Sequence, residues 1–187
     1  EFRTQSRGGV GSKGSDSRDE DFIEYIYQAS MHNTMMFFTQ KGRCYWLKVF
    51  QIPEGAKNAK GRAIQNLLNI DADDKVNAFI TTKQLNDEEF VKSHYLVFAT
   101  KQGVIKKTSL EAYSRPRQNG VNAIVIREDD RLIQVCLTDG NSEIIMANRN
   151  GRAIRFNEEN VRSMGRVSTG VRGMQLDDDG DEVVGMI

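Results

Sequence analysis

The sequence predicts an all-β protein built from propeller-like blades, each made of about four short antiparallel strands. Two observations carry this prediction: a repeated unit of roughly 50 residues, and apolar positions that alternate with polar ones at the period of a β-strand. Such blades must stack, because one blade alone cannot bury its faces. The chain has 187 residues, of which 39% are hydrophobic and 28% charged, enough for a folded core.

Three segments of the chain align as repeats. Each begins with an apolar run that meets a tight turn ending in glycine, and a second glycine comes 17 to 19 residues later. An apolar segment, an acidic turn and a last apolar strand then complete the unit. Glycine adopts the positive φ that such turns need at no steric cost. The first and second glycines of the three units are Gly42 and Gly61, Gly103 and Gly120, and Gly151 and Gly170.

The pattern also predicts individual elements. The last strands of the three units should begin at Val76, Leu132 and Val183. An insertion lengthens the first unit, and residues 86–90 within it could form a turn of helix or a loop. Asp139-Gly140 should be a hairpin turn between the apolar segments on either side of it.

The chain is expected to form one domain, 1–187, with blades at roughly 1–32, 33–93, 94–141 and 142–187. The first blade is expected to be partial, with a strand at Phe22–Tyr27, so that the whole is a partial disc. The last three ranges are called units 1, 2 and 3 below.

Charge is segregated along the chain although the formal net charge is zero. Residues 39–66 carry six basic residues against one acidic, residues 99–118 five against one, and residues 148–173 six against two. Acidic clusters lie between and after these stretches. A periodic alternation of sign indicates a repeated unit that directs basic residues one way and acidic residues another.

Basic residues recur at matching positions of the units, where they can follow a phosphate backbone along one rim. Solvated surface charge is the alternative interpretation for any one of them, but chance does not readily place them in register. The turn set, at the first turn and the strand after it, comprises Lys41, Arg43, Lys101, Lys106, Lys107, Arg149, Arg152 and Arg155. The loop set, around the second glycine, comprises Lys57, Lys60, Arg62, Arg115, Arg117, Arg162, Arg166 and Arg172.

Other classes of protein find little support in the residues. No phosphate-binding loop or catalytic constellation is visible, and two cysteines with two histidines cannot build a disulfide framework or a zinc cluster. The acidic run 177–181 lacks the closing Glu of a calcium loop, so no metal site is expected. No signal peptide or membrane span is apparent, which favours a cytoplasmic protein without a membrane partner.

These residues resemble a known family, the C-terminal domain of the A subunit of bacterial DNA gyrase. The similarity covers essentially the whole chain, and no single short motif carries it. It is clearest in Thr39–Val49 with Ile52–Glu54, in Gly61–Leu68, and in Gly151–Phe156 with Val161–Arg166 and Thr169–Gly173.

The family's hallmark is a seven-residue box, Gln-Arg-Arg-Gly-Gly-(basic or small)-Gly, on a loop of the first blade. Residues 5–11 match it at five of seven positions, while Ser6 and Val10 depart from it and remove positive charge. A box this recognisable favours gyrase over topoisomerase IV. The resemblance therefore adds to the candidate DNA-binding residues the five matching positions and one lysine nearby: Gln5, Arg7, Gly8, Gly9, Gly11 and Lys13.

The resemblance implies a β-pinwheel, a propeller-like disc whose blades exchange strands, with duplex DNA wrapped around its basic rim. It implies that strand passage by the A2B2 holoenzyme then introduces negative supercoils. The cleavage tyrosine lies in another part of the gyrase A chain and the ATPase lies in the gyrase B chain, so ATP and Mg²⁺ act outside this chain, which itself carries no catalytic site and no cofactor. Two alternatives are a propeller used as a protein-interaction platform and an unrecognised enzyme.

Overall fold

The structure, a computed structural model, describes residues 6–11, 17, 19–56, 58–83 and 85–187. Within these ranges the chain forms eleven short strands and one short α-helix. In chain order they are β1 (Thr34–Thr39), β2 (Arg43–Lys48), β3 (Val76–Thr82), α1 (Glu88–Ser93), β4 (Tyr95–Thr100), β5 (Val104–Ser109), β6 (Val121–Asn122), β7 (Leu132–Thr138), β8 (Glu143–Asn148), β9 (Ala153–Asn157), β10 (Val171–Arg172) and β11 (Val183–Met186). None of the described helices is long and apolar enough to span a bilayer.

The strands form three antiparallel sheets, two of which include a strand from the following unit. The first sheet has the order β3-β1-β2-β6, and its outermost strand β6 belongs to unit 2. The second has the order β10-β5-β4-β7, with β10 supplied by unit 3. The third has the order β11-β8-β9. The predicted all-β fold of propeller-like blades is confirmed, and the units are tied together by strand exchange.

The central strand β4 of the second sheet is apolar on both faces because this sheet packs between the first and third sheets. In β4, Leu96 and Phe98 join the core between the first and second sheets, while Val97 and Ala99 join the core between the second and third. A strand buried on both faces has a continuous apolar run instead of strict alternation. The apolar runs of units 1 and 2 therefore mark strands that lie between two cores, whereas in unit 3 Ile144 and Met146 face a core and Ile145 is exposed.

The last aspartate of each acidic turn caps the hairpin turn of its own unit. One carboxylate oxygen of Asp130 accepts hydrogen bonds from the backbone amides of Gln102 at 2.9 Å and Arg131 at 2.8 Å. The equivalent pairs of bonds measure 3.2 and 2.9 Å at both Asp74 and Asp181. These bonds hold the acidic turn beside the hairpin turn. The acidic side chains of the first therefore lie close to the basic side chains of the second.

The first glycine of a unit is the point where the next unit docks. Gly103 has φ +87°, and its carbonyl accepts hydrogen bonds from the amides of Gly173 at 2.8 Å and Met174 at 3.1 Å. A Cβ atom there would lie 2.4 Å from the carbonyl oxygen of Met174. Gly42 meets unit 2 in the same way, whereas around Gly151 the described residues leave open space.

Two sequence-based predictions of strand pairing are wrong. Residues 22–27 form no strand, because no described segment pairs with them; the rings of Tyr25 and Tyr27 instead pack against Phe79, with centroids 5.8 and 5.6 Å from it. Asp139-Gly140 does not close a hairpin either, because β7 pairs with β4 while β8 pairs with β9 and β11. Periodicity locates a strand, but it does not specify the strand's partner.

The segment after the second glycine depends on the preceding sheet. In units 2 and 3 it forms β6 and β10, which pair with the outer strands β2 and β5 of the sheets before them. In unit 1 the equivalent residues form a 3-10 turn at Ile64–Asn66, since the described residues before unit 1 contain no sheet for them to join. The insertion of unit 1 contains α1, so the helical alternative for it is confirmed.

Candidate nucleic-acid interface

The exposed basic residues of the hairpin turns are paired with the acidic turns beside them. The Arg149 guanidinium lies 2.5 Å from Glu182, and the Arg152 guanidinium 2.9 Å from Asp177. Lys101 also reaches Glu182, at 3.4 Å. In unit 1, Lys41 pairs with Asp73, and this hydrogen bond raises the pKa of the lysine and lowers that of the carboxyl. Stretches of opposite sign that are separate in sequence therefore pair with each other at the hairpin turns, within units 1 and 3 and, for Lys101 of unit 2, with the acidic stretch of unit 3.

Two further members of the turn set have partners of their own. The Arg43 guanidinium donates to Asn122 Oδ1 at 3.0 Å and to the carbonyl of Asn119 at 2.6 Å, so it ties β2 to unit 2. Arg155 on β9 lies 3.6 Å from Glu143 on the neighbouring strand, and both side chains are exposed. Such exposed ion pairs contribute little to stability, but they reduce the positive charge available to a phosphate.

The sequence-based assignment of Lys106 and Lys107 to the DNA-contacting set needs correction. Both lysines lie on β5, and their exposed fractions are 0% and 6%. The Lys106 ammonium donates to the carbonyls of Ala123 at 2.7 Å and Arg166 at 2.5 Å. The Lys107 ammonium lies 3.3 Å from the carboxylate of Glu158, which is itself fully buried. Ammonium groups enclosed in this way are not available to phosphates from outside.

Lys107 and Glu158 form a buried ion pair between unit 2 and unit 3. Burial raises the pKa of Glu158, but hydrogen bonds from the Ser142 amide at 2.8 Å and the Thr138 hydroxyl at 2.7 Å, together with Lys107, outweigh it and leave the pKa below its ordinary value. The Lys107 ammonium also lies 4.4 Å from the centre of the Tyr95 ring. A buried pair with this many partners fixes how the two units meet.

The loop set differs from the turn set because most of its members have no partner. Within the described part of the chain, six of them are exposed and make no ion pair or side-chain hydrogen bond: Lys60, Arg62, Arg115, Arg117, Arg162 and Arg172. Arg166 is half-buried, and its guanidinium donates to the carbonyl of Asn122 at 2.9 Å. Among the two predicted basic sets, the exposed cations without a partner therefore lie on the second-glycine loops. Outside these sets, four further exposed cations have no side-chain partner in the described chain: Lys75, Lys83, Arg127 and Arg131.

The loops of units 2 and 3 meet in an open cleft of about 490 Å³. Arg115 and Arg117 line it from unit 2, while Ser163 and Arg166 line it from unit 3. The loop of unit 3 reaches this position because the amide of Met164 donates to the carbonyl of Lys107 at 2.9 Å. Three guanidinium groups with a hydroxyl nearby form a surface that suits a phosphate oxygen.

The described part of the box, residues 6–11, forms an exposed turn. The amide of Gly9 donates to the carbonyl of Ser6 at 2.9 Å, and Gly8 has φ +84°, a conformation that L-residues rarely adopt. Arg7 and Gly11 are exposed on either side. The three remaining predicted residues lie outside the described residues: Gln5, Lys13 and Lys57.

Six described cationic residues were not among those predicted from the sequence, and two of them, Arg127 and Arg131, line clefts together with predicted residues. Arg127 lines a second cleft, of about 580 Å³, together with Arg172 of the next unit and the acidic residues Glu128 and Asp130. Arg127 has no basic counterpart at the equivalent positions of units 1 and 3, so a search for basic residues in register passes over it. No other signal in the sequence distinguishes it from surface charge.

The acidic run 177–181 serves the fold. One carboxylate oxygen of Asp181 accepts from Asn148 Nδ2 at 2.6 Å, and the other caps the hairpin turn of unit 3. Across the described ranges, no group of three or more His, Cys, Asp or Glu residues is arranged to hold a metal ion.

Comparison with known proteins finds that this chain is similar to DNA gyrase A proteins. The chain is 43% identical over 185 residues to the DNA gyrase A protein of Staphylococcus epidermidis, a match that covers 99% of this chain and 20% of that protein. It is 41% identical over 176 residues to the DNA gyrase A protein of Haemophilus influenzae, covering 94% of this chain and 19% of that protein. The chain thus spans about a fifth of the length of these relatives.

Solved structures share the fold. The C-terminal domain of DNA topoisomerase IV matches with a TM-score of 0.72 and 30% identity, over 83% of this chain and 47% of that one. A DNA gyrase A C-terminal domain matches with a TM-score of 0.70 and 20% identity, over 95% of this chain and 57% of that one. The family model described as "DNA gyrase C-terminal domain, beta-propeller" matches residues 1–30, 33–83, 94–135 and 142–187. With its repeated sheets, exchanged strands and basic loops, this chain belongs to the DNA gyrase C-terminal domain family.

Proposed function

We propose that this chain binds duplex DNA without sequence preference and wraps it around the second-glycine loops of successive units. The observation that carries the proposal is the contrast between the two basic sets. Cations of the hairpin turns are paired with acidic residues, whereas the exposed cations of the second-glycine loops have no partner in the described chain. Unpaired cations at one repeated position form a positive path that a phosphate backbone can follow.

The absence of an element suited to reading base edges among the described residues supports sequence-independent binding. The described helix, α1, has six residues, and its first turn carries Glu88 and Glu89, which phosphates would repel. The loop arginines belong to irregular segments between strands, a position suited to backbone contacts. Wrapping bends the duplex, and contacts repeated from unit to unit offset the energy of that bend.

Membership of the family supports the proposal that this activity belongs to a larger protein. We propose that the chain acts as the non-catalytic, DNA-wrapping domain of a gyrase A protein, in the cytoplasm, and that the gyrase B protein is its partner in an A2B2 enzyme. Wrapping of one sign would then make ATP-dependent strand passage introduce negative supercoils. In this proposal ATP and Mg²⁺ are bound elsewhere in the enzyme, and the chain needs no cofactor to bind DNA.

A salt series with two charge-matched triple variants tests the assignment of the DNA path. The loop variant is Arg115→Ala, Arg117→Ala and Arg162→Ala; the turn variant is Lys41→Ala, Arg149→Ala and Arg152→Ala. Each removes three positive charges. Because each phosphate contact contributes about 0.9 to the slope of log K against log salt, the loop variant should lose about 2 to 3 from the slope. The turn variant should keep nearly the whole slope.

Each outcome of the salt series leads to a definite conclusion. An equal loss of slope in both variants would mean that DNA displaces the ion pairs of the turns, and that the whole basic register is used. A loss confined to the turn variant would move the path to the hairpin turns. No binding of a 40-base-pair duplex by the parent chain at low salt would reject DNA binding and favour the protein-interaction platform.

A further inference from the structure

The basic loop of unit 3, residues 158–166, is held at both ends by two adjacent lysines of unit 2. Lys107 binds its first residue, Glu158, and Lys106 binds the carbonyl of its last residue, Arg166. Between these points, the amide of Met164 donates to the backbone carbonyl of Lys107. The two side chains project to opposite faces of β5, as successive residues of a strand do.

The surroundings of the two lysines differ. Lys107 faces a buried carboxylate, whereas no described carboxylate lies within ion-pair distance of Lys106. The charge of Lys106 is met by two backbone carbonyls and by the face of the Phe98 ring, whose centre lies 5.6 Å from the ammonium. A buried ammonium without a counter-ion is costly to keep charged, so a structure retains one only where its hydrogen bonds compensate.

We propose that Lys106 is a positioning residue for the DNA interface. Its ammonium binds the carbonyls of Ala123 and Arg166. These bonds hold the loop that carries Arg162 and Arg166 in the conformation that contacts phosphate. This inference rests on the proposed function. Lys106 does not touch DNA in this arrangement. It acts through the loop that lines the cleft with Arg115 and Arg117.

The same geometry makes the interface sensitive to pH. Burial, and then the nearby Arg166 guanidinium, lower the pKa of Lys106 from its ordinary value of 10.5 to about 7. The other titratable groups at this junction, Cys44 and Tyr113, stay neutral near pH 7 because burial raises the pKa of both. The Tyr113 hydroxyl donates to the carbonyl of Ala123 at 2.7 Å and shares that acceptor with Lys106.

The direction of the pH effect follows from these values. As pH rises through about 7, the folded protein loses the Lys106 proton while the unfolded chain keeps its own up to about 10.5. Loss of the proton removes a positive charge close to the DNA path, where neighbouring phosphates favour the charged form. DNA binding should therefore weaken between pH 6 and pH 8.5, while the same proton loss makes the fold relatively more stable.

The test measures affinity for a 40-base-pair duplex at pH 6.0 to 8.5 and constant salt, using the full chain and its Lys106→Met and Lys106→Arg variants. The parent should bind about 3- to 10-fold more weakly at pH 8.5 than at pH 6.0, the range expected for the loss of one positive charge near phosphates. Lys106→Met should bind weakly at every pH. Lys106→Arg stays charged at every pH, so the binding that this variant retains should lack the pH dependence.

Three controls separate this effect from others. Lys83→Met removes an exposed positive charge outside both basic sets and should leave the pH profile unchanged. His32→Gln and His94→Gln should also leave it unchanged, although histidine ordinarily titrates in this window. A pH profile of Lys106→Met that matches the parent's, or a profile abolished by either histidine variant, would overturn the assignment.

Hydrogen exchange of the loop amides separates failure of this inference from failure of DNA binding. Protection at Met164 and its neighbours, corrected for intrinsic rates, should be lower in Lys106→Met than in the parent at every pH. That result in a chain that does not bind DNA would support the positioning role and reject the proposed function. Protection that is the same in the parent and in Lys106→Met would reject the positioning role, whatever the DNA binding shows.

Discussion

At the residue scale, the function of a charged side chain in this protein depends on which neighbour it meets. Arg149 and Arg115 are both exposed arginines, but Arg149 lies 2.5 Å from Glu182 while Arg115 has no partner in the described chain. Lys106, on β5, is buried, and its ammonium binds two backbone carbonyls. Residue type alone would give all three the same role, so the environment makes the distinction.

Alanine substitutions at two glycines with the same backbone conformation measure how tightly unit 3 packs against the hairpin turn of unit 2. Gly103 and Gly151 both have φ +87°, but a Cβ at Gly103 would lie 2.4 Å from a carbonyl oxygen of unit 3, while the space at Gly151 is open. Gly151→Ala should cost about 1 kcal/mol for the left-handed conformation. Gly103→Ala should cost a further 1 to 3 kcal/mol, roughly, because the next unit must move.

The free energy of unfolding, measured with urea, gives the comparison directly, since the two substitutions are chemically the same. Equal losses would mean that the docking of unit 3 on the hairpin turn of unit 2 is loose. A larger loss at Gly103 would confirm that the first glycine is needed for close approach between units as well as for the turn.

At the scale of the element, the hairpin turn and the acidic turn form one structural feature. The carboxylate of the last acidic-turn residue accepts two backbone amides in each unit, and the strand that follows then pairs with the first strand of the unit. Acidic residues are therefore required next to the hairpin turn by the fold itself. The ion pairs between the acidic turns and the basic residues of the hairpin turns follow from this arrangement of the fold.

Removal of one such carboxylate should destabilise the chain in proportion to the bonds it makes. Asp130→Ala leaves the amides of Gln102 and Arg131 without their acceptor and should cost about 1 to 2 kcal/mol, as the loss of a capping carboxylate does. Glu128→Ala, in the same turn, is the matched control: Glu128 is exposed and has no bond within the described residues, so its loss should stay within about 0.5 kcal/mol. Chemical denaturation measures both, and equal effects would contradict the capping role.

At the scale of the whole molecule, strand exchange couples the units and sets their basic loops side by side. β6 and β10 each begin directly after a second-glycine loop, so the strand that locks a unit to its predecessor also fixes where that loop lies. The loops of units 2 and 3 consequently share one cleft. A continuous path for DNA is thus a product of the same contacts that hold the partial disc together.

Wrapping, as distinct from binding, is a property of this whole arrangement and can be measured on nicked circular DNA religated in the presence of the chain. We expect a shift in linking number for the parent and for the turn variant, and a much smaller shift for the loop variant. Bending a site of 20–30 base pairs costs about 1 to 6 kcal/mol, which three missing phosphate contacts would leave uncompensated. Salt-dependent binding without any shift in the parent would show that these units bind DNA but do not wrap it.

The sequence by itself determined the repeat, the starting residues of the last strand of each unit and the register of the basic residues. Last strands predicted at Val76, Leu132 and Val183 begin at those residues, because an apolar run bounded by turn residues is a local signal. The similarity to the gyrase family also follows from the sequence, since it is spread over the whole chain. These features depend on neighbours along the chain, which the sequence shows directly.

Only the tertiary structure decided which strands pair and which charges remain available. Strand exchange between units, the single sheet shared by β7 and β4, and the pairing of turn cations with acidic turns all join residues distant in sequence. Lys106 and Lys107 are indistinguishable from surface lysines in the sequence, yet the next unit covers both of them. Burial and ion pairing depend on contacts between units, and no local pattern of residue types specifies those contacts.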